Sequence, residues 1–317
     1  MILVAGGLAD RVTELVCARL AERNYPYRLL DLGRYPNDHG ITCRWRDGGP
    51  EGTITGPGWS LDLADITGVY VRFLGAEGRL PLANAAPETA ELLRAEADAG
   101  LMAIFEDLAC PVVNRAAGGM SNNSKPYQAL LLRRAGLRVP PTLVTNDPEA
   151  AHAFHAAHGE VVYKSLSGIR SIVRRLGPQA ISRLKHLRDG PAQFQAYVPG
   201  SNVRVHTVGN RIFAVRVRSD AVDYRYAHLD GLAVEMEPTV LPRSVEQACL
   251  AIARDLDLLF AGIDLKETPE GDWYCFEVNP CPGFLYYERN SGLPISAALA
   301  DLLRGAGSTR ARRHVMN

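Results

Sequence analysis

The stretch GIDLKETPEGDWYCFEVNP, residues 262–280, decides the fold of this chain. Two apolar runs flank a Thr-Pro-Glu-Gly turn, which predicts a β-hairpin centred near residues 269–271. Asp264 then lies almost opposite Glu277, and Asn279 shares the face of Glu277 because alternate strand residues point the same way. Facing carboxylates are unfavourable unless a cation lies between them, and oxygen ligands suit Mg²⁺. The hairpin thus predicts a metal site; the alternative is a solvated hairpin with incidental charges.

Two lysines upstream of the hairpin are candidate phosphate ligands. Lysine is rare here, since only four of the 35 basic residues are lysines. Lys125 begins a helix, and Lys164 ends an apolar strand before a Ser/Gly loop that contains Ser167 and Gly168. The N–H and hydroxyl groups of such a loop can bind phosphate. Taken singly, a lysine is more often a surface residue than a phosphate ligand.

A strand-rich segment carries four arginines, whose guanidinium groups can bind phosphate or carboxylate through two hydrogen bonds. They are Arg204, Arg216, Arg218 and Arg225. The alternative is an exposed sheet edge that arginines protect from aggregation. Arg72, at the end of an earlier strand, is a candidate contact for the acceptor substrate, with a surface role as its alternative.

Strands and helices alternate in the first third of the chain, which predicts a small parallel α/β layer. Its predicted strands are 2–5, 27–32, 69–73 and 111–114, and its helices are 14–22 and 87–108. Gly/Pro-rich stretches at 47–58 and 75–87 are predicted loops.

The remaining two thirds divide into a mixed segment and a strand-rich one. The mixed segment has predicted helices at 124–134, 147–157 and 179–188, and strands at 142–145, 161–164 and 172–174. The strand-rich segment has predicted strands at 193–198, 203–208, 211–218, 262–267 and 273–278, and helices at 244–255 and 294–303. Gly209-Asn210 between two strands indicates a tight hairpin turn. The Gly/Ser/Arg-rich tail is predicted to be disordered.

Composition excludes several functional classes. The formal net charge is zero, from 35 basic and 35 acidic residues, which argues against a nucleic-acid or membrane-surface binder. No apolar run reaches the length of a membrane span, and the first residues are predicted to form a strand and not a signal peptide. The six cysteines form no CxxC motif, so we expect a reducing, cytoplasmic location.

The hairpin carboxylates, lysines and arginines, in this order, resemble the ATP-grasp superfamily. The likeness is strongest to ribosomal-protein glutamate ligases and to the peptide-modifying ligases that make microviridin-type crosslinks. The resemblance implies a mixed α/β (α+β) ATP-grasp fold, with an N-terminal α/β layer before two subdomains that sandwich a nucleotide. The implied divisions are 1–115 for the N-terminal layer, 116–190 and 191–304 for the subdomains, and 305–317 for the tail.

The resemblance also implies roles for individual residues. The nucleotide phosphates would be bound by Lys125, Lys164, Ser167 and Gly168. The adenosine would be bound by Gln195, Ala196, Tyr197, Val198 and Asn202. The catalytic residues would be Arg204, Arg216 and Arg225, and the metal ligands Asp264, Glu277 and Asn279. Ala196 and Asn202 stand where relatives often carry Glu and Asp, and the phosphate loop has fewer glycines than is usual.

The implied activity is that of an ATP-dependent carboxylate–amine ligase acting through an acyl phosphate. ATP and Mg²⁺ would be required, with Mn²⁺ as a substitute, and the expected assembly is a homodimer. The expected substrate is a peptide or protein carboxylate, in ribosomal peptide modification, with a free amino acid or dipeptide as the alternative. Alternatives of other classes are an ATP-dependent phosphotransferase and a nucleotide-binding regulatory protein.

Overall fold

The computed structural model describes residues 1–73, 75, 78–83, 85–166, 173–219, 224 and 231–305. These residues form four β-sheets. Three of the sheets follow one another along the chain, and the fourth, a small antiparallel sheet, is inserted between two strands of the first. Of the described helices, none combines the length and the apolar character needed to span a lipid bilayer.

The N-terminal segment contains the predicted parallel sheet. Its strands are β1 (Ile2–Gly6), β2 (Tyr27–Asp31), β6 (Gly68–Val71) and β7 (Val112–Val113), in the order β2-β1-β6-β7. Its two long helices are α1 (Arg11–Glu22) and α2 (Pro87–Asp107). All five residues of β1 are buried, as expected for a central parallel strand. Asp10 caps α1 by accepting a hydrogen bond from the Thr13 N–H at 2.9 Å.

The predicted loop at 47–58 was wrong, because most of it lies in a three-stranded antiparallel sheet. The strands are β3 (Gly40–Arg46), β4 (Gly49–Gly56) and β5 (Trp59–Asp62). Gly52 has a φ of 148°, and a Cβ there would lie 2.0 Å from the Thr42 carbonyl oxygen. Glycine is therefore required where two paired strands approach closely, and its presence does not indicate a loop.

The C-terminal helix completes the core of the N-terminal layer. It is α9 (Ile295–Leu303), which follows α8 (Leu285–Ser291). Ile295 and Leu299 share one buried apolar cluster with Val4 and Val16. A Cβ on Gly68 would lie 2.2 Å from the Leu303 carbonyl oxygen, so the end of α9 lies directly on β6.

The middle of the chain forms an antiparallel sheet with short helices. The strands are β8 (Thr142–Thr145), β9 (Val161–Lys164), β10 (Arg174–Arg175) and β11 (Ala192–Ala196), in the order β10-β9-β11-β8. The helices are α3 (Ala116–Gly119), α4 (Lys125–Arg134), α5 (Pro148–His158) and α6 (Pro178–Ile181).

Two predictions about this middle segment need correction. The predicted helix at 179–188 is α6 followed by a separate 3₁₀ helix over Leu184–Asp189. Because β11 lies between β8 and β9, this sheet extends to Ala196, beyond the expected boundary at residue 190.

The last sheet positions the metal-site candidates. Its strands are β12 (Ser201–Val208), β13 (Arg211–Arg218), β14 (Glu235–Pro238), β15 (Phe260–Glu267) and β16 (Trp273–Asn279). Their order is β14-β13-β12-β15-β16, with β16 at the edge. α7 (Arg243–Asp255) and α4 cover one face, where Val203, Ile263 and Leu265 pack with Ile252 and Leu132. The other face carries the polar residues of the site.

Candidate active site

A bulge in the β15–β16 hairpin brings the two carboxylates face to face. Asp264 is paired with Glu277, but the next residue of β15, Leu265, is paired with Cys275, so Phe276 is an extra residue. Cys275 and Val278 are therefore both buried in the same core although they are three residues apart. Without the bulge, Glu277 would lie opposite a core residue of β15. The predicted opposition of Asp264 and Glu277 is confirmed.

The side chains on this face fit a hard divalent cation. Asn279 is paired with Gly262, next but one to Asp264 on β15, so it shares the face of both carboxylates. Its Oδ1 accepts the Cys281 N–H at 2.8 Å, which orients the amide oxygen. Two carboxylates and an amide oxygen are the donor types that Mg²⁺ prefers. Within the described residues, no cluster of three or more His, Cys, Asp or Glu side chains suits a metal.

Arg204 lies behind the carboxylates and holds Asp264. The two residues are paired on β12 and β15, and Arg204 Nη1 lies 2.7 Å from Asp264 Oδ1. Arg204 is only 6% exposed. Burial by itself would lower the pKa of its guanidinium, but the Asp264 carboxylate keeps this pKa above its ordinary value. A Cβ on Gly262 would lie 2.1 Å from Arg204 Nη2, so a side chain at this position would displace the guanidinium.

Arg204 also contacts rings on its other sides. Its Cζ lies 5.4 Å from the ring centroid of Tyr287, and its Nε donates to His206 Nε2 at 3.4 Å. His206 is fully buried and stacks on Phe260. Desolvation, and then the charge of Arg204, hold the pKa of His206 well below its ordinary value of 6.5. His206 is therefore a neutral structural partner of the site.

The depressed pKa of His206 makes stability depend on pH. Below pH 6.5 the unfolded chain binds a proton that the folded chain does not, so the free energy of unfolding falls as the pH is lowered. We expect a slope of up to about 1.4 kcal/mol per pH unit from this residue, down to its folded pKa. Urea unfolding of wild type and His206→Gln between pH 5 and 8 checks this. Equal slopes in the two proteins would contradict the assignment.

The linker between the two sheets offers main-chain groups to a nucleotide base. The Ala196 and Tyr197 N–H groups are used, since they donate to Pro141 O at 3.0 Å and Glu160 O at 2.9 Å. The Val198 carbonyl accepts from Lys266 Nζ at 2.9 Å. Among the described residues, no acceptor is paired with the Val198 N–H. That donor fits a ring nitrogen of adenine.

The other predicted adenosine contacts lie near this linker. Gln195 is buried in β11 and donates to Thr142 Oγ1 at 3.1 Å, so its side chain binds within the sheet. Asn202 is paired with Lys266 and shares the face of Asp264. The structure brings Asn202, but not the Gln195 side chain, to the polar face.

The predicted phosphate residues are only partly described. Lys125 is the first residue of α4, and Lys164 is the last residue of β9, paired with Gln193. Ser167, Gly168 and Arg225 lie outside the described residues. Tyr224, which precedes Arg225, lies with its hydroxyl 2.8 Å from that of Tyr287, the ring that contacts Arg204.

Arg216 does not belong to this face, which corrects its predicted catalytic role. It is paired with Val203, a residue of the helix-covered face, whereas Arg204 is paired with Val215. Arg216 Nη1 lies 2.6 Å from Glu267 Oε2. Alternation along β13 therefore turns this guanidinium away from Asp264.

Two polar residues that support the site, Lys266 and Asn114, were not among the predicted site residues. Lys266 is 8% exposed, and desolvation lowers its pKa. Its position two residues after Asp264 and the rarity of lysine were the available signals. Asn114 donates to the Phe260 and Pro280 carbonyls and accepts from the Leu259 and Phe260 N–H groups. A single Asn after a short strand gave no signal of this role.

A cavity opens beside the metal-site candidates, where the N-terminal layer meets the loop after β16. It has a volume of about 250 Å³ and is lined by Val71, Phe73, Met102, Phe105, Pro280 and Cys281, among others. Arg72, at its side, donates to Asp10 Oδ2 at 2.8 Å and contacts Cys281 Sγ at 3.4 Å. Cys281 follows Asn279 by two residues, so this cavity adjoins the candidate metal face.

Comparison with known proteins agrees with this geometry. Residues 122–303 match the RimK-like ATP-grasp domain family. The alpha-aminoadipate–LysW ligase LysX of Sulfurisphaera tokodaii is 24% identical over 208 residues, covering 62% of this chain and 72% of that protein.

Solved structures extend the similarity over nearly the whole chain. The macrocyclase MdnC of Microcystis aeruginosa MRC, bound with precursor peptide MdnA, has a TM-score of 0.82 at 23% identity, covering 97% of this chain and 100% of that one. The ATP-grasp ligase PsnB, complexed with a phosphomimetic variant of minimal precursor, Mg and ADP, has a TM-score of 0.80 at 26% identity, covering 96% and 97%. The chain therefore belongs to the RimK-like ATP-grasp family and is an ATP-dependent, ADP-forming ligase, as its motifs predicted.

Proposed function

We propose that this ligase joins a carboxylate of a peptide or protein to an amine or hydroxyl group. The observation that carries the proposal is the polar face on which Asp264, Glu277 and Asn279 converge beside Arg204. The likeness to MdnC and PsnB, both solved with precursor peptides, supports a peptide substrate. The similarity to LysX favours, as a second candidate, a ligase that acts on a small amino acid.

The proposed reaction has two steps. A carboxylate oxygen of the substrate attacks the γ-phosphorus of ATP, the bond to the β–γ bridging oxygen breaks, and ADP leaves. The amine or hydroxyl then attacks the acyl carbon, loses its proton, and expels inorganic phosphate. Such chemistry needs positioning and charge neutralisation more than a protein nucleophile.

Each group on the polar face has a proposed task. Asp264, Glu277 and Asn279 would hold Mg²⁺, or Mn²⁺ in its place, and the ion would offset the negative charge of the phosphates. Arg204 would orient Asp264, since their contact fixes one carboxylate oxygen. Phosphate and adenosine binding are proposed for Lys125, Lys164, Ser167, Gly168, Ala196, Tyr197, Val198 and Asn202, and transfer of the phosphoryl group for Arg225.

Further proposals concern organisation. We infer an N-terminal layer over 1–115, two ATP-grasp subdomains up to residue 304 and a separate tail from 305, with a homodimer in the cytoplasm. The cavity beside Arg72 is the proposed place of the acceptor, because it adjoins Asn279.

Hydroxylamine trapping tests the function. The full chain is incubated with ATP, Mg²⁺, hydroxylamine and either synthetic peptides rich in Asp and Glu or free amino acids. ADP and hydroxamates are then measured by chromatography and mass spectrometry. Hydroxamate on a peptide together with ADP is the expected result. A stable phosphopeptide would indicate a phosphotransferase, hydroxamate on free amino acids alone would indicate the small-molecule ligase, and no ADP with any acceptor would indicate a regulatory protein.

A further inference from the structure

Gln128 makes a two-point contact with the strand that carries the candidate metal ligands. Its Nε2 donates to the Val278 carbonyl at 2.8 Å, and its Oε1 accepts the Val278 N–H at 2.9 Å. The side-chain amide thus satisfies both main-chain groups of one residue, as a neighbouring strand would. Gln128 is 2% exposed, so water does not compete for these bonds.

The position of Val278 gives this contact its significance. Val278 lies between Glu277 and Asn279, and β16 is the edge strand of its sheet. An edge strand presents N–H and C=O groups that its sheet leaves unpaired. Elsewhere on this edge, the Cys275 N–H donates to the Arg138 carbonyl at 2.7 Å. Gln128 therefore fixes the edge at the one residue whose neighbours on both sides are candidate ligands.

The helix that carries Gln128 also carries a candidate phosphate ligand. α4 begins at Lys125, and Gln128 lies three residues later, on nearly the same side of the helix. Leu132, a turn further on, packs in the core with Val278 and Cys275. The apolar packing brings α4 onto β16, and the amide pairing adds a directional contact that fixes the register between them, because apolar contacts are not directional.

We propose that Gln128 is a positioning residue that sets where Glu277 and Asn279 lie relative to Lys125. It would thereby determine how tightly the metal and the nucleotide phosphates are bound together. The inference rests on the proposed function in one respect, that Glu277 and Asn279 hold the metal. Without the amide, β16 could shift along α4. Glu277 and Asn279 would then move out of position for the metal although the protein remains folded.

Calorimetric binding of ADP with and without Mg²⁺ tests this inference on the intact chain. In Gln128→Met we expect the Kd for ADP with Mg²⁺ to rise about tenfold, a loss of affinity typical of replacing a residue that supports metal ligands. The Kd for ADP without Mg²⁺ should change less than twofold. Gln128→Asn keeps the amide but is too short to reach both groups, so it should behave alike and serves where the Met variant does not fold. Amide hydrogen exchange at residues 277–279, measured without metal, should be faster in both variants.

Ser296→Ala is the matched control, because it also removes two hydrogen bonds of a buried side chain, to Arg19 and Glu288, at the α8–α9 junction. It should leave the effect of Mg²⁺ on ADP binding as in wild type. Equal weakening with and without Mg²⁺ in the Gln128 variants, or no weakening, would overturn the inference. If Mg²⁺ does not strengthen ADP binding even in wild type, the metal assignment itself fails, whereas unchanged hydrogen exchange would fault Gln128 alone.

Discussion

Replacing Glu277 by Gln is expected to lower ADP formation by on the order of 10³-fold, a loss of about 4 kcal/mol of transition-state stabilisation. The free energy of unfolding without metal should stay within about 0.5 kcal/mol of wild type or rise. Within the described part of the chain, Glu277 makes no ion pair, and it faces the like charge of Asp264. Removing its charge therefore costs the fold no attraction.

Asp264→Asn is the matched variant for this prediction. It should lose as much activity as Glu277→Gln, and in addition it should lower the free energy of unfolding by about 2–4 kcal/mol. The reason is Arg204, which is buried and would lose its carboxylate partner. Urea unfolding without metal and an ADP-release assay measure the two effects. Equal stability of the two variants, or turnover near that of wild type in either, would refute the assignment.

The second large effect is expected from Arg204→Gln. Because Arg204 orients a candidate metal ligand, we expect a 10- to 100-fold fall in ADP formation. Losses of this size are typical when a residue that hydrogen-bonds a metal ligand is replaced. The Mg²⁺ concentration needed for half-maximal activity should rise, while the KM for the carboxylate substrate should change little. Titration of Mg²⁺ and of carboxylate substrate in the same assay separates the two parameters.

Gly262→Ala provides an independent route to the same defect. The added methyl would lie 2.1 Å from Arg204 Nη2 and 2.6 Å from Pro282 Cβ, so we expect the guanidinium to move from Asp264 although its charge is kept. Gly48→Ala, where nothing lies within 4 Å of the added atom, is the control and should behave as wild type. If Arg204→Gln instead raises mainly the KM for the carboxylate substrate, Arg204 binds that substrate directly and is a catalytic residue, as the resemblance had implied.

The sequence predicted the strands that carry the site better than it predicted which side of the sheet each of their side chains lies on. The position of the turn placed Asp264 and Glu277 approximately opposite each other, but their exact pairing depends on a bulge in β16. The extra residue Phe276 was not predictable, because a bulge depends on which residues the helices bury. The same limit explains Arg216: its strand was predicted, but the face that α4 and α7 cover is decided by tertiary packing.

The buried polar side chains that hold the backbone of the site could not be predicted from the sequence either. Gln128 and Asn114 act through main-chain groups of β16 and of the loop after it, so no motif of chemical side chains marks them. Likewise, the glycines of 47–58 are common to loops and to closely approaching strands, and only the pairing with β3 distinguishes the two. Composition and periodicity give local preferences, whereas these features depend on partners distant in the chain.

The packing of α9 against β1 has a consequence for biosynthesis. Ile2 and Val4 are translated long before Ile295 and Leu299, which share their core. The side of β1 that packs with α9 therefore stays incompletely covered until α9 has been made, and exposed apolar surface of this kind invites aggregation. A nascent chain stalled before α9 should accordingly depend on chaperones, and a shortened chain that ends before Ile295 should accumulate as insoluble material.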